Sequence, residues 1–236
     1  VPVAIVTGAS RGLGRALAAG LASEGWQLVI DARGADALAV ARDQLAVAAT
    51  VVAVPGDVTD PAHRDELMAA AGQLGGPDLL VNNAGILGPS PQPPLASYPL
   101  DVLRDVYEVN VVAPLALTQL ALPVLRSRGG AVINVTSDAA VEAYPGWGGY
   151  GSAKAALEQA SRVLAEEEPE VRVWWVDPGD LRTQMHQEAF PGEDIGDRAL
   201  PSSVVPAFLR LLTLRPSSGR VRAAEVLAGL SNVAGS

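Results

Sequence analysis

The chain is predicted to be an α/β protein with one domain, residues 1–236, built on a doubly wound parallel sheet with helices on both faces. Three observations carry that expectation. Short apolar runs without polar alternation recur along the chain, as in strands covered on both sides. Segments of helical periodicity separate them at short intervals, the spacing of right-handed βαβ units. The first run, VAIV at residues 3–6, leads directly into a glycine-rich turn, TGASRGLG at residues 7–14, which opens a helix.

Taken in order, residues 26–30 (WQLVI) form the second strand and residues 36–48 the next helix. Residues 51–54 form the third strand, stopped by Pro55 and Gly56. A polar turn, DVTD at residues 57–60, precedes a helix over residues 61–71, with Pro61 suited to its first turn. Residues 78–81 form the fourth strand, followed by NNAG at residues 82–85. The proline-rich residues 86–98 read as an irregular surface segment. Residues 101–125 read as one long helix that Pro114 bends. Residues 131–135 form a fifth strand, 150–167 a helix and 171–176 a sixth strand. Residues 184–200 are expected to be a substrate flap rather than a domain, and residues 203–213 a further helix. Residues 219–223 are a weak final strand, because arginines interrupt it, and only a short tail follows.

Composition excludes several classes of function. Hydrophobic residues make up 49% of the 236, enough for a sizeable core. There is no cysteine, and His63 and His186 are too isolated for a zinc centre. The net charge of −9 argues against a nucleic-acid partner. On this reading no apolar run approaches bilayer-crossing length and no basic leader precedes one, so no membrane partner is expected; the expected location is cytoplasmic. Of 17 basic residues, 16 are arginine, and Lys154 is the sole lysine.

The glycine turn is spaced G-x-x-x-G-x-G, one residue longer than the usual dinucleotide fingerprint. Gly8 permits a tight turn, while Gly12 and Gly14 permit close approach of backbone and ligand. Together with Ser10, Arg11 and Leu13 they form a candidate cradle for a pyrophosphate at the helix start. Arg11 and Arg33 are placed to neutralise the ribose phosphate of NADP. Asp31 would oppose that phosphate if it pointed inward and would instead suit NAD. NADP(H) is therefore favoured, with NAD(H) the alternative. Asp57, next to Val58, either accepts a hydrogen bond from adenine or caps its own turn.

Tyr150 and Lys154 lie four apart and share one helix face. Ser137 stands at the carboxyl end of the fifth strand, where open parallel sheets gather ligands. Asn110 lies in the preceding long helix. If the four converge, a phenol made more acidic by a nearby ammonium exchanges a proton with an alcohol or carbonyl oxygen. Ser137 orients that oxygen, Lys154 also holds a ribose, and Asn110 supports a relay that restores the proton. Hydride transfer belongs to the nicotinamide.

With these residues in view, the chain closely resembles the short-chain dehydrogenase/reductase family over essentially its whole length. The resemblance is carried by TGASRGLG, DVTD, NNAG, Asn110, Ser137, YGSAK at residues 150–154 and the PG of Pro178 and Gly179. It implies a Rossmann fold and an oxidoreductase. Ser137, Tyr150 and Lys154 correspond to the catalytic triad, with Asn110 its fourth member. It further implies that Asn83, Ala84 and Gly85 line the adenosine side of the cofactor. Residues 178–183, including Leu181 and the Thr183 hydroxyl, would hold the carboxamide. Arg11 and Arg33 match NADP-preferring members, and Ala32 stands where NAD-preferring members carry their acid.

Asp138 departs from the family pattern, placing an extra carboxylate beside Ser137. Tyr144, Trp147 and Met185 are expected to line an apolar substrate pocket, with Asp138, Glu142 or His186 adding a polar contact. The alternative has Trp147 packed on another subunit and His186 facing water. The expected partner is a small carbonyl or alcohol, and the long apolar helices suit a homodimer or homotetramer. The leading reading is an NADP(H)-dependent ketone reductase. Its alternatives are an NAD-dependent alcohol dehydrogenase, a cofactor-dependent epimerase or dehydratase, and a non-catalytic nucleotide sensor.

Overall fold

The computed structural model describes residues 1–234; the last two residues of the expected 1–236 domain lie outside the described residues. Seven parallel strands form one sheet in the order β3-β2-β1-β4-β5-β6-β7. They are β1 (Val3–Val6), β2 (Gln27–Ala32), β3 (Val51–Pro55), β4 (Leu79–Asn82), β5 (Ala131–Val135), β6 (Arg172–Asp177) and β7 (Gly219–Arg222). The order reverses between β1 and β4, opening a crevice at the strands' carboxyl ends.

Strand alternation sorts the apolar residues onto two faces, which is why no polar alternation shows in the sequence. Ala4, Val6, Leu28, Ile30, Leu79, Val81, Ile133, Trp174 and Val176 face one core. Helices α1 (Gly12–Ser23), α2 (Ala35–Leu45) and α8 (Val205–Leu214) cover it through Leu17, Leu21, Leu38 and Phe208. Val3, Ile5, Val29, Leu80, Val132 and Val173 face the other core, under Leu67, Leu117 and Leu125. Those last three belong to α3 (Pro61–Gln73) and α5 (Ala113–Arg128). The doubly wound expectation holds.

Three elements differ from the sequence reading. The predicted helix 101–125 is α4 (Leu100–Tyr107), a π-helical turn (Glu108–Val112) and then α5. Pro114 sits in the first turn of α5 and has no amide hydrogen to offer the carbonyl four residues before it, that of Asn110 in the π turn. The helical stretch Leu100–Arg128 is also long and apolar enough to cross a bilayer by length and composition, contrary to the reading above. One side of the stretch is seated on the sheet, with Leu117, Ala121 and Leu125 buried, while Val112, Leu115 and Leu120 are exposed. Third, β7 is followed by α9 (Ala223–Ala234), where only a tail was expected; Ala223 is in the core and Val226 and Leu227 pack against it. In the expected flap, residues 184–189 form the short α7 (Gln184–Ala189). The helix over residues 150–167 starts two residues earlier, as α6 (Gly148–Glu167).

The arginines that weakened β7 in the sequence have a structural reason. Arg220 Nε donates to Glu158 of α6 over 3.0 Å, and its Nη2 donates to Asp177 at the end of β6 over 3.2 Å. Nη2 also donates to the backbone carbonyl of Ser137 over 3.2 Å. Glu158 further accepts from Thr136 over 2.8 Å. One guanidinium thus neutralises two buried carboxylates and ties β7 to the ends of β5 and β6. Arg220→Ala leaves both carboxylates without a cation, so unfolding free energy should fall by about 3 kcal/mol, read by urea denaturation. Arg220→Lys should recover part of the loss.

Candidate active site

The glycine turn is fastened from beneath by three strand ends. Asp31 Oδ1 accepts from the Gly8 amide over 2.7 Å, and Oδ2 lies 3.0 Å from His63 Nε2. Asp31 is 1% exposed, so it does not point at a ribose. Burial pushes its carboxyl above the ordinary value, against the lowering effect of its hydrogen bonds to His63 and Gly8. Thr7 Oγ1 accepts from the amides of Asn83 and Ala84, each over 3.0 Å. Asn83 Nδ2 returns hydrogen bonds to the carbonyls of Thr7 (2.8 Å) and Gly8 (3.2 Å). Gly8 adopts φ +66°, and a Cβ there would stand 2.9 Å from Ala84 Cα. A Cβ on Gly14 would stand 2.4 Å from the Gly8 carbonyl oxygen, so helix and turn touch backbone to backbone.

At the start of α1, the Arg11 N-cap makes no capping side-chain bond and the first turn holds no acid. By contrast, Asp60 caps α3 and Thr183 caps α7. The first amides of α1 are therefore unpartnered by side chains, the condition for receiving an anion. A Cβ on Gly12 would stand 3.6 Å from the methyl of Thr183. Ser10 is half-buried, and the Leu13 side chain turns into the core. Arg11 is exposed and donates to Gln184, while Arg33 is exposed and its charge helps lower the Asp57 carboxyl. Asp57 Oδ1 caps its own turn, accepting from Thr59 N (2.9 Å) and Thr59 Oγ1 (2.8 Å). Val58 is buried, its carbonyl accepting from Arg64.

The four residues expected to handle the proton lie around the carboxyl end of β5. Lys154, 4% exposed, donates to the Val135 carbonyl over 2.9 Å. Its Nζ lies 5.5 Å from the centre of the Tyr150 ring. Ser137 follows two residues after Val135, and the short turn Asp138–Ala140 packs on the start of α6. Tyr150, Ala139 and Leu87 form one small apolar cluster, with Trp147, Met185 and Ala189 against it. Asn110 lies in the π turn, fully buried, and Nδ2 donates to the carbonyls of Ile86 (2.8 Å) and Val106 (2.9 Å). Its Oδ1 has no hydrogen-bond partner. That oxygen faces Gly85: a Cβ there would come within 2.6 Å of Oδ1 and 3.7 Å of Lys154 Nζ.

The expected acidification of the phenol by the neighbouring ammonium is reversed in the structure. Burial, then the carboxylates of Asp138 and Asp177, push the Tyr150 hydroxyl above its ordinary range. Burial lowers Lys154 to about 8. The chain's own groups thus keep the phenol protonated, and the ammonium is not enough to reverse burial.

The remaining site residues line the mouth. Asp177 Oδ1 accepts from Gly179 N over 3.0 Å, shaping the turn after Pro178. Leu181 is buried and bridges to Ala199. Thr183 Oγ1 accepts from His186 N over 3.2 Å. Trp147 packs within the chain, its ring 6.4 Å from Tyr144, 5.9 Å from Tyr150 and 5.9 Å from Phe190. Sequence reasoning missed Phe190. His186 is mostly buried rather than facing water, 4.9 Å from the Phe190 ring and 3.8 Å from Asp180. No group of three or more His, Cys, Asp or Glu able to hold a metal occurs among the described residues.

The short chain dehydrogenase family model matches residues 2–194. Sepiapterin reductase of Rattus norvegicus is 36% identical over 201 residues, covering 79% of this chain and 77% of that protein. An alcohol dehydrogenase from the archaeon Thermococcus sibiricus, complexed with 5-hydroxy-NADP, superposes with a TM-score of 0.85 at 28% identity, covering 94% of this chain and 95% of that one. A 7 alpha-hydroxysteroid dehydrogenase complexed with NADH and 7-oxo glycochenodeoxycholic acid also gives 0.85 at 28%, covering 94% and 92%. A glycine turn clasped by its neighbouring strand ends, a tyrosine above a buried lysine and a family match over most of the length agree: the chain belongs to the short-chain dehydrogenase family of oxidoreductases.

Proposed function

We propose that the chain is an NADP(H)-dependent reductase that converts a ketone to a secondary alcohol. The observation that carries this reading is the Tyr150 phenol buried over Lys154 and beside the Ser137 turn, where burial favours its neutral form. Carbonyl reduction needs an acid at the carbonyl oxygen, and a phenol held protonated is that acid.

The residues present fit a nicotinamide dinucleotide. The unpartnered amides of α1 suit its pyrophosphate, Lys154 its nicotinamide ribose, and the backbone around Gly179 and Leu181 its carboxamide. Bound there, the reduced nicotinamide supplies the hydride. Ser137 orients the carbonyl oxygen, and Tyr150 gives it a proton as the carbonyl carbon gains the hydride. The orphaned Oδ1 of Asn110, facing Gly85 and Lys154, suits a water that returns the proton inward. Preference for NADP(H) over NAD(H) is supported by the burial of Asp31, which removes the only acid at that strand end, and by the exposed Arg11 and Arg33. The alcohol dehydrogenase neighbour holds an NADP derivative and the hydroxysteroid dehydrogenase NADH. Exposed Leu115 and Leu120 on α5 and Val163 on α6 support homo-oligomerisation through those helices.

In a panel of ketones assayed by loss of reduced-cofactor absorbance, NADPH should be consumed faster than NADH. Tyr150→Phe should lower kcat about a hundredfold or more while leaving the Kd for NADPH within a few-fold. Turnover that persists in this variant contradicts the assignment of the acid. For the free enzyme, kcat/KM for NADPH should fall as pH rises through about 8, because Lys154 loses its charge there while Tyr150 stays protonated. Lys154→Arg, permanently charged, should remove that falling limb even if the absolute rate drops.

A further inference from the structure

Ser137 has one hydroxyl proton, and it is already committed. Its Oγ donates to Asp138 Oδ1 over 2.8 Å, while Tyr144 donates to Asp138 Oδ2 over 2.9 Å. An ionised carboxylate only accepts, so neither bond can run the other way. A plain ketone brings an acceptor and nothing else. To engage Ser137 it must draw the proton away from Asp138 and give no donor back. The carboxylate then stands, less satisfied, beside an oxygen that gathers negative charge as the hydride arrives.

A substrate with a hydroxyl on the carbon next to its carbonyl removes both penalties. Its carbonyl oxygen takes the Ser137 proton, and its hydroxyl replaces that proton on Asp138 Oδ1. The two protein oxygens are one hydrogen bond apart, and the two oxygens of an α-hydroxy ketone lie side by side on adjacent carbons, so the pairs can face each other. The Ala139 amide, 2.8 Å from Oδ1, and the Tyr144 hydroxyl hold the carboxylate in place during this exchange. Beyond it, Trp147 and Phe190 offer an apolar wall for the rest of the molecule. We propose that Asp138 is a specificity-determining residue that selects α-hydroxy ketones. This rests on the reductase reading above.

The test compares 2-hydroxyacetophenone with acetophenone, which differ only by the vicinal hydroxyl, using the purified full chain and NADPH. The wild type should favour the hydroxy ketone about tenfold or more in kcat/KM. Asp138→Ala should bring that ratio to about one by lowering the hydroxy ketone and raising acetophenone, since Ser137 is then released from its competing acceptor. A rise on one substrate is not what a folding defect produces. Asp138→Asn keeps the side-chain shape but accepts more weakly, so it should lower the ratio as well, and it decides the matter if the alanine variant does not fold. Equal wild-type values, or a ratio that survives in the folded variants, overturn the substrate assignment and leave the reductase standing. Turnover of neither ketone with NADPH or NADH, while the rest of the ketone panel is also inert, overturns the reductase reading and this proposal with it.

Discussion

One hydrogen bond sets the register of the site: the Lys154 ammonium on the carbonyl of Val135. It joins the middle of α6 to the last residue of β5. Tyr150 lies about one helical turn before the lysine and Ser137 two residues beyond the carbonyl, so this contact brings the phenol and the serine hydroxyl to the same end of the sheet. Burying an ammonium is expensive unless a good acceptor meets it. The carbonyl at the end of the strand, with no further strand residue to bond, is such an acceptor. The same burial that costs stability makes the lysine easy to deprotonate and the tyrosine hard to ionise.

The phosphate end of the crevice obeys a parallel constraint. A turn with left-handed glycine backbone exposes amides that must be aimed, and here Asp31, Thr7 and Asn83 aim them. Asp31 can do so because it is removed from solvent and paired with His63. That imidazole occupies the space over Gly56, where a Cβ would come within 2.2 Å of Nδ1. The carboxylate that sequence reading weighed as a ribose ligand is therefore part of the frame. Arg11 and Arg33, by contrast, are exposed.

Much of this was legible in the sequence because apolar runs, helical spacing and glycine punctuation are local signals. Asp31 and His63 are 32 residues apart and meet only through the strand order, so neither position announces the pairing. The π turn around Asn110 is one residue of slack in an otherwise regular helical pattern, which a period of 3.6 residues cannot reveal. Arg220 looked like a polar intrusion into a weak strand because its three partners lie on other elements. The α9 helix was hidden by the same arginines, which broke the apolar pattern just before it. Asp138 was noticed as an extra carboxylate, but its grip on the Ser137 proton exists only in three dimensions.

Lys154 is the only lysine in the chain, so its charge can be followed directly. Carbon-13 labelling of the lysine ε position gives a single side-chain signal whose shift against pH reports this ammonium alone. A midpoint near 8 is the expected result, with burial as its cause. A midpoint at the ordinary value of about 10.4 would mean that the ammonium sits in water, and the contact that aligns Tyr150 with Ser137 would not exist.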